Sequence, residues 1–323
     1  LGPDVGAEGP LKIILTSLLL MACAKAPEAD DPVPAPPTIE ERFDAAQDRI
    51  VADFLENGWI VSRGTNGEAE HTGDSLIFTG IWLGAADCDA GNASETMLQD
   101  TIERNGGALV RYEPMEGNAA SLDGALGLYN GIGDRIIRCP ASIPRWRDVM
   151  LIHKQFLEDH HGRLHGDPNA GQLVPEFDYV LDLLLARLSA DSGGGFDGRR
   201  LARLMAESTA WALGVQATHA AAFRVHLAFL AFTAVENLGQ TVNPQGRDGF
   251  CAATAGIDMP TVDQWCGRGD LAAWIDDFTP NLWQYRHERS GAWENPDGRS
   301  LLTPGLDYLV AIRRAYFMAR RVD

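Results

Sequence analysis

Positive charge is scarce in this chain of 323 residues: 27 lysines and arginines face 45 aspartates and glutamates, a formal net charge of -18. Such a surface repels phosphate backbones and argues against nucleic acid as a partner. Long apolar runs are also missing after the first 23 residues. The most apolar later stretch, Ala220 to Val235, is interrupted by Arg224 and His226 and reads as a core helix rather than a membrane span. Alternating strand patterns are almost absent, which excludes an all-β body. There is no GxSxG elbow, no GxxxxGK[ST] phosphate-binding loop and no HExxH. No pair of cysteines has CxxC spacing, so neither a zinc ribbon nor a cofactor is indicated.

What is present begins at Lys12, where KIILTSLLLMAC sets one basic residue before a short apolar run ending in Leu20, Met21, Ala22 and Cys23. A run this short cannot span a bilayer core of ~30 Å, but it suits a secretory signal. It resembles the bacterial lipobox, which implies cleavage before Cys23, a lipid anchor on that residue and attachment to a membrane. The preceding LGPDVGAEGP is acidic and wrong for a signal start, so the precursor is expected to begin at Leu11, making residues 1–22 the removed segment. No aspartate stands beside Cys23, which favours the outer membrane over the inner in the bacterial cell envelope. Residues 23–37 are rich in proline and acid, the composition of an extended tether. About 285 residues follow, read as one helical domain over 38–323.

Four further cysteines, Cys88, Cys139, Cys251 and Cys266, are an even set in an exported chain, and disulfides rank ahead of zinc. Proximity along the sequence suggests Cys88 with Cys139 and Cys251 with Cys266. Apolar periodicity predicts helices from Thr38 to Asn57, with a Thr38/Glu41 capping box and Phe43, Ile50, Val51, Phe54 and Leu55 on one face. Others are expected from Ser75 to Ala86, Ser94 to Arg104, Ala120 to Asn130, Arg145 to His160, Pro175 to Ser189, Arg199 to Leu213, His219 to Leu238, Leu271 to Phe278, Asn281 to Arg289 and Pro304 to Arg321. The piece ALVRYEP reads as a short extended segment. Apolar and amphipathic helices alternate in the first half, which points to helical hairpins side by side in an all-α fold. No repeat of fixed period accompanies them.

Two blocks, Asp74 to Ile132 and Leu282 to Tyr316, contain GDSLIFTGIWLGAADC, GGALVRYEP, GNAASLDGALGLYNGI and LWQYRHERSGAWENPDGRSLLTPGLDYLVAIRRAY. They resemble a group of proteins similar to the α/α-toroids, in which paired helices ring a central cleft and many members act on polysaccharides. The resemblance implies an α/α-toroid-like array with at most minor short strands, and a glycan ligand. In toroids the cleft lies at one end of the inner helices, which draws attention to His71, Asp74, Arg111, Asn118, Asp123 and Asp307.

Two carboxylates, Asp74 and Asp123, could act as general acid and base on a glycosidic bond. For Asp74 the plainer role is to cap its helix; Asp123, flanked by Leu122 and Gly124 inside a helix, invites a buried polar role equally. Trp283, Tyr285 and Trp293 flank or lie in a polar run and suit sugar stacking, Arg286 and His287 a carboxylated sugar; Trp82 reads as core. A lyase would instead use His71 or His287 with a tyrosine. His153, His160, His161 and His165 read as a solvated helix end rather than metal ligands. In DCDAGNASE, Asp87, Asp89, Asn92 and Glu95 lack the spacing of a calcium loop, and Asn92 with Glu95 reads as a helix start. The alternative from another class is a non-catalytic binding or scaffolding module with a peptide or protein partner.

Overall fold

Thr38 opens the first helix by the reciprocal device its sequence encodes. The Thr38 N–H donates to Glu41 Oε2 at 2.7 Å and the Glu41 N–H to Thr38 Oγ1 at 3.2 Å. In the computed structural model described here, the described residues are 35–63, 68, 74–113, 119–167, 171–173, 175–191, 222–255 and 260–270, with Leu306, Leu309, Val310, Ile312 and Arg313. The chain divides between Pro37 and Thr38 into two units, and the helical architecture belongs to the second.

Helix α1 spans Ile39–Asp53, not the full stretch expected to Asn57. Asn57 and Gly58 adopt positive φ of 52° and 88°. They close a two-residue hairpin between β1, Leu55–Glu56, and β2, Trp59–Ile60, with Leu55 opposite Ile60 and Glu56 opposite Trp59. Phe43, Ile50 and Phe54 are buried as expected, but Val51 is 39% exposed because the chain leaves the helix before that face is covered.

Helix α2, Ser75–Ala85, is buried on every side, Trp82 included, as its unbroken apolar sequence demands. Helix α3, Cys88–Arg104, begins six residues before the expected start at Ser94. Asp87 holds the N-cap position, so DCDAGNASE lies largely inside α3, and Asn92 with Glu95 is not a helix start. Helix α4, Leu122–Arg138, runs through Asn130 and Gly131 rather than stopping there. A 3₁₀ turn at Pro140–Ser142 leads into α5, Ile143–Asp159. Then come α6, Pro175–Asp191; α7, Ala222–Asn237; α8, Pro244–Ala253; and α9, Pro260–Trp265, the last two not foreseen from periodicity. Asn243 caps α8 by accepting from the Gln245 and Gly246 N–H groups. Within the expected Pro304–Arg321 helix the described residues are helical, and Leu306, Leu309 and Ile312 are fully buried. The helices expected at 199–213, 271–278 and 281–289 lie outside the described residues. Among the described residues, then, the fold is all-α with one two-stranded hairpin, and no helix is long and apolar enough to cross a membrane.

The most extensive packing joins α2 to α4. Gly80 and Gly84 on α2 meet Gly127 and Gly131 on α4, each pair four residues apart and therefore on one helix face. A Cβ on Gly80 would lie 2.6 Å from Gly127 O, one on Gly84 3.0 Å from Gly131 Cα, and one on Gly131 only 1.8 Å from Gly80 O. Residue number rises together on both sides of this contact, so α2 and α4 run parallel. On the outer side Arg145 at the start of α5 reaches Asp100 and Glu103, and Gly107, just past α3, abuts Ile152 and Phe156. Helices α3 and α5 are therefore also parallel to each other. Two hairpins, α2–α3 and α4–α5, stand side by side in the same sense. On the other flank α4 meets α7 through a polar ladder: Asn130 Nδ2 donates to Thr233 Oγ1 at 2.9 Å, and Asn237 Nδ2 to Asn130 Oδ1 at 2.5 Å.

The hairpins are fastened where α2 ends and α3 begins. Cys88 bonds to Cys139, joining the start of α3 to the end of α4, and Cys251 bonds to Cys266 between α8 and the end of α9, both pairings as expected. Beside the first disulfide, the fully buried Arg135 guanidinium donates to Glu95 Oε2 at 2.8 and 3.0 Å, to the Asp87 and Cys88 carbonyls, and to Asn92 Oδ1. Glu95 Oε1 accepts from Trp146 Nε1 at 2.6 Å, which recruits α5. Gly91 makes room for this guanidinium: a Cβ there would lie 2.7 Å from Arg135 Nη1. Arg138 donates to the Ala86 and Gly84 carbonyls and Arg313 to the Ala85 carbonyl, so cations satisfy the carboxyl end of α2. Burial lowers both guanidinium pKa values, that of Arg138 to about 10, which leaves it charged at neutral pH.

Candidate functional site

Because α2 and α4 are parallel, their amino ends emerge together, opposite the disulfide and arginine cluster. Asp74 and Asp123 are thereby carried to the same end of the array. A layer of loop backbone sits there. Val110 bridges to Ala119 and Arg163 to Gln172, both antiparallel. The Leu109 N–H donates to Leu164 O at 2.7 Å, Leu164 N–H to Gly171 O at 2.9 Å, Gly171 N–H to Ala120 O at 2.9 Å, and Ala120 N–H to Leu109 O at 3.3 Å. Four short segments, each too short to form a strand alone, thus satisfy one another. The expected extended piece ALVRYEP contributes the first of them.

Three of the expected site residues can be placed. Arg111, half-buried, donates from Nε to Ala119 O at 2.8 Å, bracing the layer beside the Val110–Ala119 bridge. Its neighbour Tyr112 donates to Glu56 Oε1 at 3.1 Å and packs edge-on against Trp59, centroids 5.8 Å apart. Burial, with the Glu56 carboxylate adding to it, raises the phenol's pKa. Asp74 is half-buried at the N-cap position of α2, as expected, yet its side chain makes no capping hydrogen bond. Asp123 is 4% exposed in the first turn of α4, where its Oδ1 accepts from the Gly124 N–H at 3.0 Å. That position is closer to a helix start than the interior expected for it, because α4 begins at Leu122 rather than Ala120. His71, Asn118, Trp283, Tyr285, Arg286, His287, Trp293 and Asp307 lie outside the described residues, as does Cys23. Among the described residues no group of three or more His, Cys, Asp or Glu side chains could hold a metal ion.

One histidine falls where the sequence reading did not put it. His160 and His161 are exposed beyond α5, but His153 is fully buried and not part of a solvated end. It shares a helix face with Trp146, Val149, Met150 and Leu157, all buried. That spacing of three and four residues is the sequence signal that places it inward. Its Nδ1 donates to Gly107 O at 2.7 Å, and its Nε2 lies 2.7 Å from the hydroxyl of Tyr129, equally buried on α4, which donates to it in the neutral pair. Burial lowers the imidazole to a pKa of about 4; the bond to Gly107 opposes that shift and nearby Lys154 adds to it. Tyr129 is raised, by burial first and by Asp178 second. Asp178 itself is raised, again chiefly by burial.

The loop layer therefore rests on an uncharged, water-excluded pair, while the carboxylates and Arg111 occupy the region where the inner helices begin. Comparison with known proteins returns no match of any kind, whether to a family model, a characterised protein or a solved structure.

Proposed function

We propose that this chain is an exported, lipid-anchored protein of the bacterial cell envelope whose helical body holds a glycan at the end where its inner helices begin. The observation that carries this is the parallel pairing of α2 and α4, which delivers Asp74 and Asp123 to one end under a loop layer braced by Arg111. Side-by-side hairpins with parallel inner helices are the unit from which an α/α-toroid is built, and the toroid-like array is part of the same proposal. Two disulfides favour an oxidising compartment, in keeping with export and anchoring through Cys23, for which the outer membrane is the proposed address.

Binding is favoured over cleavage. A general acid or base must reach within about 3 Å of the bond it serves. Asp123 is 4% exposed and already accepts a backbone N–H, so it is better suited to holding the helix start than to meeting a glycosidic oxygen. Titration of the purified chain with envelope-derived oligosaccharides tests the reading. The expected result is saturable binding, weakened about tenfold or more in Asp74→Asn and Arg111→Gln, without release of new reducing ends. Absence of binding to every oligosaccharide, or binding by both variants as tight as by the unaltered chain, would remove the glycan reading and leave the non-catalytic protein-binding module as the better one. Cys23→Ala should move the protein from the membrane to the soluble fraction of the cell; retention at the membrane would count against the anchor.

A further inference from the structure

We infer that the His153–Tyr129 pair is an acid-sensitive latch: neutral, it clamps the loop layer to α4 and α5, and protonation of His153 favours release of that layer. The inference does not depend on what the layer binds.

The geometry leaves the imidazole no room for a second proton at low cost. Nδ1–H is committed to Gly107 O, and Nε2 is the acceptor for the Tyr129 hydroxyl. A proton on Nε2 would turn that contact round and oblige Tyr129, itself fully buried, to find another acceptor. Water cannot supply one at a site with no exposed surface. The charged groups nearby do not offset the cost. On α5 the adjacent Lys154 carries the same sign as an imidazolium and pairs with Asp182 of α6 at 3.5 Å. Asp178 of α6 acts on Tyr129 and is held toward its neutral form by burial. On α3, Asp100 and Glu103 pair with Arg145, and neither acts on the His153 ring. The loop contributes Gly107, with no charge of its own.

Gly107 is also where the layer is seated. Its φ is +99°, and a Cβ would meet Ile152 O at 2.6 Å and Phe156 Cβ at 2.7 Å, so only glycine brings the segment of residues 108–110 this close to α5. Two residues on, Leu109 starts the chain of backbone bonds through Leu164, Gly171 and Ala120. Lifting Gly107 off His153 therefore loosens the whole layer, Arg111 included.

The sign follows from linkage. In the latched state the imidazole has a pKa of about 4; in the released state it returns to about 6.5. The released state therefore gains protons as pH falls from 6.5 toward 4, and between pH 7.5 and pH 5 the opening equilibrium rises about 30-fold.

Amide hydrogen exchange on the intact chain, corrected for the intrinsic effect of pH, reads this directly. Leu109, Ala120, Leu164 and Gly171 should exchange about 30-fold more readily at pH 5 than at pH 7.5, while staying at least about tenfold faster than Leu128 and Ile132 of α4 at both. His153→Gln should flatten the pH dependence, whereas His160→Gln, altering an exposed histidine, should retain it. If His153→Gln does not fold, the His153 ring resonances of the wild-type chain serve instead, and they should show no titration above about pH 5. Titration of that ring near pH 6.5, an unchanged pH dependence in His153→Gln, or exchange of the layer only together with α4 would each overturn the latch.

Discussion

Replacing Gly131 by alanine is the most discriminating test of the α2–α4 contact, because two opposing effects of different size meet there. An alanine in a helix interior is worth about 1 kcal/mol more than glycine when nothing obstructs it. At Gly131 the new Cβ would lie 1.8 Å from Gly80 O, 2.6 Å from its carbonyl carbon and 3.2 Å from its Cα. These are backbone atoms of a helix buried on every side, not the end of a flexible side chain. Restoring an ordinary contact requires α2 and α4 to separate by about 1.6 Å, and overpacking of this kind costs about 1–3 kcal/mol or more. The strain spreads along the pair, since Gly80, Gly84 and Gly127 share the same face. The upper part of that range, less the helix-propensity gain of about 1 kcal/mol, leaves a net loss of about 2 kcal/mol, equivalent to a fall in Tm of about 4 °C for a body of this size. Gly133→Ala is the matched control: its Cβ would meet side-chain atoms alone, Leu238 Cδ2 at 3.1 Å and Cγ at 3.2 Å and Asn237 Cβ at 3.8 Å, and the effect should stay within about 1 kcal/mol of zero. Urea and thermal unfolding followed by far-UV circular dichroism measure both. If Gly131→Ala is as stable as Gly133→Ala, the two backbones are not in contact and the parallel pairing argued from it fails.

Three further outcomes can be checked by the same melts. Glu95→Gln should cost about 3–5 kcal/mol, because it leaves the Arg135 guanidinium charged and buried without its carboxylate, while Glu95→Leu combined with Arg135→Met should cost less than Glu95→Gln alone; a milder single than double variant would refute the ion-pair account. The serine pair at Cys88 and Cys139 releases a loop of 51 residues and should lose about 4 kcal/mol, against about 3 kcal/mol for the pair at Cys251 and Cys266, which closes 15; the reverse order would show that chain entropy is not the deciding term. Global stability should be full above about pH 6.5 and decline by about 3 kcal/mol as pH falls to about 4, since the unfolded chain takes up the proton that native His153 refuses. The same titration in His153→Gln should be flatter by about that amount, and equal slopes would sink the assignment.

Elements whose partners are local were legible in the sequence, and those fixed by a distant contact were not. The Thr38/Glu41 box is completed within one turn, so four residues suffice to read it. Helix α2 is apolar on all sides and needs no knowledge of its neighbours. By contrast, Gly131 reads as a breaker in isolation; only the approach of Gly80 explains why α4 keeps its helical course there. The shared four-residue spacing of glycines in both helices was the available signal. Asn57–Gly58 forms a hairpin turn, whereas the sequence reading carried the helix to Asn57, because the short β1–β2 pairing depends on residues beyond the turn. Glu95 looked like a capping acid until Arg135, 40 residues away, gave it a buried partner.

The site divides along the same line. Burial of His153 follows from its spacing on α5, whereas its bonds to Tyr129 and Gly107 required three separate elements to meet. The expectation that polar residues at inner-helix starts would share one end rested on resemblance alone. The parallel course of α2 and α4 supplies a physical reason for it: tight backbone contact sets the direction of the pair, and direction sets which residues emerge together. The two ends then differ in kind. At the carboxyl end of α2 the carbonyls are answered by Arg138 and Arg313, and Arg135 is matched by Glu95 beside a disulfide, an arrangement suited to holding hairpins together. At the amino end the loop segments bond to one another over the buried His153, and no disulfide fastens them among the described residues, so that end is held mainly by backbone hydrogen bonds.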